Sequence, residues 1–139
     1  EKGTAQGTLA GVAKGLPALL RAYKLQKRAA RVGFDWPDVD SAYQKLNEEI
    51  NELSDELAKP KLDKDHIIDE LGDVIFSTVN VARKLGIDPE AALRSGNAKF
   101  EKRFSYIESS LQKMSKDFDD VTLVEMEDLW QKSKSGPPS

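Results

Sequence analysis

Cysteine is absent from the 139-residue chain, and histidine occurs once, at position 66. The missing cysteines exclude disulfides, thiolate zinc sites and cysteine nucleophiles. Any bound metal must therefore use oxygen ligands or the single imidazole. A basic excess is missing too: 21 lysines and arginines face 24 acidic residues, for a net charge of -3. A binder that neutralises nucleic-acid phosphates usually carries the opposite balance. No apolar run approaches the roughly 18 to 20 residues that cross a bilayer. The polar N-terminus also lacks the apolar core of a secretory signal, so a soluble cytoplasmic protein is the default expectation. What is present, 39% hydrophobic and 32% charged residues, fits one globular domain.

Punctuation divides that domain into helices. The stretch EKGTAQGTLAGVAKG and the closing SGPPS hold no stable period. Flexible ends are expected over residues 1–15 and 134–139, around a folded region at 16–133. A first helix is predicted from Leu16, with Pro17 near its start, to about Val32 before Gly33. After the loop GFDWPD, Asp38 is placed to cap a second helix reaching about Ala58, ahead of Pro60. A third runs from about Lys64 to Leu85 and stops at Gly86. Asp88, Pro89 and Glu90 open a fourth, extending to about Ser115. Thr122 and Glu125 form a capping-box pattern for a short fifth helix ending near Lys132. No strand alternation is present, so the expected fold is an all-α bundle of four main helices plus a short C-terminal one. Wide apolar faces in so short a chain call for a second copy to cover them, and a homodimer is expected.

Acidic residues recur beside the apolar ones. With Leu46, Ile50, Leu53 and Leu57 taken as the buried stripe of the second helix, Glu49, Glu52 and Glu56 fall roughly 60° to 120° to one side. Glu48 points away toward solvent. With Leu71, Ile75, Thr78 and Ala82 as the third helix's stripe, Glu70 and Asp73 share a neighbouring flank about 60° apart. If the two flanks meet, four carboxylates converge, and their repulsion costs stability unless a cation neutralises them. The ligands are hard oxygens without a Glu-x-x-His pair, which suits Mg2+ or Mn2+ rather than di-iron. Magnesium in turn points to a phosphate substrate.

Elsewhere, Lys99 and Arg103 are spaced i, i+4 beside the Phe100, Phe104 stripe and suit phosphate oxygens. Phe34, Trp36 and Trp130 are candidate stacking surfaces for a base, and Asn80 and Asn97 candidate polar contacts. Each has a plainer reading as packing, a surface ion pair or a solvated amide. His66, in the first turn of the third helix, reads as a surface residue, and KPKLDKD as a solvated connection.

The segments KLNEEINELSDE and DELGDVIF together resemble the MazG nucleoside triphosphate pyrophosphohydrolases, whose EExxE and ExxD pattern stands here as Glu48, Glu49, Glu52 and then Glu70, Asp73. GFDW, NAKFEKRF and EDLWQ extend the likeness from Leu16 to Lys132, most closely to the C-terminal MazG domain of the two-domain bacterial enzyme. The resemblance implies a Mg2+-dependent, typically dimeric all-α enzyme that cleaves nucleoside triphosphates between the α and β phosphates. It implies metal binding by Glu49, Glu52, Glu70 and Asp73, triphosphate contacts from Lys99 and Arg103, and Trp130 near the nucleotide. Broad use of ribo- and deoxyribonucleotides is expected. The general base stays open among the four carboxylates and Glu48. Two alternatives stand beside this reading: a non-catalytic dimerisation or regulatory module, and a related pyrophosphohydrolase confined to dUTP, dCTP or phosphoribosyl-ATP.

Overall fold

The computed structural model describes residues 7–135. Among them are five α-helices and no strands: α1 (Ala18–Arg31), α2 (Val39–Leu57), α3 (Lys64–Lys84), α4 (Pro89–Lys113) and α5 (Leu123–Ser135). A 3-10 turn, Phe118–Asp120, joins the last two. The all-α expectation holds. The expected flexible ends lie outside the described residues at 1–6 and 136–139. From Gly7 the chain turns back on α1, where Val12 is buried and Arg28 donates to the carbonyls of Thr8 and Ala10.

The helix starts follow local chemistry. Asp38 Oδ1 accepts from the Ser41 amide at 2.8 Å, and Asp63 Oδ1 accepts from Asp65 and His66 at 3.0 and 3.3 Å. Asp88 Oδ1 takes the Glu90 amide at 2.9 Å. Thr122 and Glu125 close a reciprocal box at 2.8 and 3.1 Å. Gly33 and Gly86, just past α1 and α3, take φ of 92° and 73°, a region open to glycine without strain.

The first helix is the exception. Its N-cap is Pro17, which offers no side-chain acceptor. The Leu20 amide, one of the donors that a helix start leaves orphaned, is instead accepted by Glu90 Oε2 at 3.2 Å, 70 residues downstream. The carboxylate also opposes the positive end of the helix dipole.

The chain falls into two compact units, one up to Ala92 and one from Leu93. In the first, α2 and α3 form the principal hairpin and α1 packs on α3. The pairings run antiparallel: Glu56 faces His66, and Glu49 faces Glu70 and Asp73. In the second unit, Ile107 and Leu111 are buried. There Phe104 stacks on Phe118 at 5.5 Å and Phe100 tilts against Trp130 at 5.4 Å. Among the described residues no helix is long and apolar enough to cross a membrane.

One expectation is corrected. The apolar stripe of α2 was expected to face inward with Glu49 at its margin. In the structure Glu49 is 6% exposed, whereas Ile50 and Leu57 are 44% and 52% exposed. Likewise Leu71 and Ile75 of α3 are turned outward. Periodicity fixes angles between residues on one helix, but not which face meets the neighbour. Here the seam passes through Ala42 and Glu49, a spacing of seven residues that keeps both on one side of α2.

Candidate functional site

The α2–α3 seam gathers carboxylates. One oxygen each from Glu49, Glu70 and Asp73 lies within 4.8 Å of the others. Glu49 Oε1 and Glu70 Oε1 are buried without a hydrogen-bond partner, as is Glu56 Oε1 about two turns further along α2. A buried acceptor left unmade costs about 1–3 kcal/mol, more when it is charged. The Glu70 carboxyl is pushed above its ordinary range, first by loss of hydration, then by the negative charge of Glu52, Asp73 and Glu49. Glu52 thus joins the cluster electrostatically, although it is not one of the three with oxygens within 4.8 Å.

One cation already leans on this cluster. Lys45 Nζ lies 2.9 Å from Glu49 Oε2 and 3.6 Å from Glu48 Oε1. Its own pKa is raised, chiefly by the hydrogen bond to Glu49. Glu48 is otherwise turned to solvent, with its side chain 65% exposed. Sequence reasoning passed over Lys45, although its i, i+4 spacing to Glu49 was a usable signal. His66 is exposed, with Nδ1 3.4 Å from Asp63 and 3.8 Å from Glu56.

The cluster adjoins a cavity of about 520 Å3 between α1, α3 and the loop after α1. Its wall includes Gln26, Phe34, Trp36, Phe76, Asn80 and Lys45, and is mostly apolar. Because Lys45 both lines it and bonds Glu49, cavity and carboxylates share a wall. The loop is pinned by Asp35, which accepts from Arg83 Nη2 and, at 3.2 Å, from Lys84 Nζ. Arg83 also donates to Asn80 Oδ1 through Nε at 3.1 Å and Nη2 at 2.8 Å.

The Arg83 hydrogen bond, above all, holds Asp35 down to about 2 from an ordinary 3.8. A depressed carboxylate contributes stability above its unfolded value and loses it as pH falls through the folded one. Asp35→Asn should therefore cost about 1 kcal/mol at pH 7 after allowance for partial solvent screening. The gap from wild type should close as pH falls from about 4 toward 2. Urea unfolding across that range checks it, and a gap independent of pH would show that the bridge contributes nothing.

In the second unit, Lys99 and Arg103 stand on α4, with Asn97 two residues before Lys99. The Arg103 guanidinium lies 5.6 Å from the centre of the Trp130 ring, within cation–π range. The structure thus brings Arg103 and Trp130 together, as it does Glu49, Glu70 and Asp73 in the other unit.

The family follows from comparison with known proteins. The MazG nucleotide pyrophosphohydrolase domain matches residues 38–107, from the α2 cap to the middle of α4. A nucleoside triphosphate pyrophosphohydrolase of Escherichia coli K12 is 42% identical over 123 residues, covering 88% of this chain and 47% of the relative. A Thermotoga maritima protein named nucleoside triphosphate pyrophosphohydrolase/pyrophosphatase MazG is 36% identical over 137 residues, covering 98% of this chain and 52% of its own length. The chain thus spans about half the length of these curated relatives. With the domain match covering half of the sequence and both carboxylate pairs inside it, the chain belongs to the MazG nucleotide pyrophosphohydrolase family.

Proposed function

We propose that this chain hydrolyses nucleoside triphosphates, ribo and deoxyribo alike, to the monophosphate and pyrophosphate with the help of Mg2+. One observation carries the reading: three carboxylates crowd within 4.8 Å, with buried acceptor atoms that no donor satisfies. Such a donor set fits a hard divalent cation. Glu49, Glu52, Glu70 and Asp73 would hold it, and Mn2+ would serve in its place. When bound, the cation offsets phosphate charge and eases ionisation of water.

The chain's own groups supply the rest. Water adds at phosphorus as the bond between the α and β phosphates breaks and pyrophosphate departs. One of the four carboxylates, or Glu48, accepts the proton. Lys99 and Arg103 hold phosphate oxygens and balance charge on the leaving group, with Asn97 and Trp130 contacting the nucleotide. The outward apolar residues Ile50, Leu57, Leu71 and Ile75 support a homodimer as the working form. Sedimentation at twice the 15.4 kDa chain mass tests that assembly.

The activity is tested by incubating the protein with an equimolar mixture of ribo- and deoxyribonucleoside triphosphates, with Mg2+ or with chelator. Monophosphate and pyrophosphate should form across the bases, without diphosphate, and only with the metal. A folded protein that binds Mg2+ yet turns nothing over would overturn the reading in favour of a regulatory module. Turnover of a single nucleotide would replace breadth with a restricted substrate.

A further inference from the structure

Gln26 occupies an unusual place. It falls on the stripe Leu19, Tyr23, Gln26, Ala30, where α1 turns its half-buried residues inward, and it is 7% exposed. Its Nε2 donates to the Phe76 carbonyl at 2.9 Å. A carbonyl only accepts, so this contact fixes the amide's orientation and leaves Oε1 as the free end. Oε1 is buried and has no hydrogen-bond partner. Gln26 also lines the cavity beside the carboxylates. Around the same cavity, aromatic surface stays uncovered: Phe34 is 82% exposed and Phe76 45%. Flat apolar faces and one unused acceptor are together what a heteroaromatic ring bearing an N–H would satisfy. An aliphatic occupant would cover the rings but leave the acceptor unmade.

Resting on the pyrophosphohydrolase reading, we propose that this cavity seats the nucleobase and that Gln26 reads an N–H donor on the base edge. The shared Lys45 wall sets the cavity beside the carboxylates assigned to the triphosphate end, as one nucleotide spanning both requires. A volume of about 520 Å3 lies within the ordinary range for small-molecule sites. Each common base carries at least one N–H on its pairing edge. A single acceptor therefore admits all of them and rejects a ring that has none.

The test compares adenosine triphosphate with purine riboside triphosphate, the same molecule without its amino group. Calorimetry on their α,β-methylene analogues in Mg2+ gives affinity independently of turnover. Wild type should bind the amino-bearing analogue about 10- to 100-fold more tightly. Gln26→Leu should bring the ratio to within about threefold while keeping the wild-type rise in Tm on adding Mg2+, which reports an intact fold and carboxylate cluster. Gln26→Asn, which withdraws the amide by one methylene, should reduce the ratio in the same way and serves if the leucine variant fails to fold. Equal affinities in wild type, or a ratio that survives both changes, would overturn the base assignment and leave the hydrolase reading standing. A Gln26-dependent ratio without turnover of adenosine triphosphate would overturn the hydrolase reading and leave the base pocket standing. Failure to bind either analogue would overturn both.

Discussion

Glu70→Gln is expected to lower kcat/KM by about 10^3-fold or more while raising the thermal stability of the metal-free protein. The two effects have one origin. Glu70 faces Glu49 and Asp73 across the seam, feels the charge of Glu52, and has its carboxyl pushed upward by lost hydration and by these neighbours. A carboxylate raised in the folded state contributes stability only at low pH and loses it as pH rises through the folded value, so at pH 7 it works against folding. The amide removes that repulsion and, with it, the charge that would hold a cation. Steady-state kinetics with Mg2+ and thermal unfolding in chelator measure the two arms. An active variant would remove Glu70 from the site, whereas an inactive and less stable one would make its role structural.

The second large effect is linkage to metal. A ligand that binds only the folded state at 100 times its Kd stabilises by about 2.7 kcal/mol. For a chain of this length that is a rise in Tm on the order of 10 °C. Adding Mg2+ to chelated protein should produce such a rise, while Glu49→Gln or Asp73→Asn should abolish it. Salt of equal ionic strength is the control, because diffuse screening also relieves repulsion. A Tm that responds to salt and Mg2+ alike would reduce the cluster to an acidic surface.

What could be read from sequence was local. Asp38, Asp88 and the Thr122–Glu125 pair announce helix starts because a cap and its amide lie within three residues. The i, i+3 pairs Glu49–Glu52 and Glu70–Asp73 could be assigned to flanks because helical geometry alone relates them. Which flank turned inward was less accessible. Glu49 is more buried than Ile50 because α2 meets α3 along a seam through Ala42, a fact about the partner helix. The Asp35–Arg83 contact, 48 residues apart, and the Leu20–Glu90 contact leave no local signature at all. Gln26 did leave one, a polar residue on an inward stripe. Its free oxygen emerges only once Phe76 is seen to occupy the other end of the amide.

The carboxylate of Glu90 has a consequence for the order in which the chain assembles. The first turn of α1 borrows its cap from the start of α4, so it lacks that cap until the intervening hairpin has formed and the chain has come back. The earliest helix in sequence is thus completed late in contact order. The solvent-exchange rate of the Leu20 amide reports whether that return has occurred.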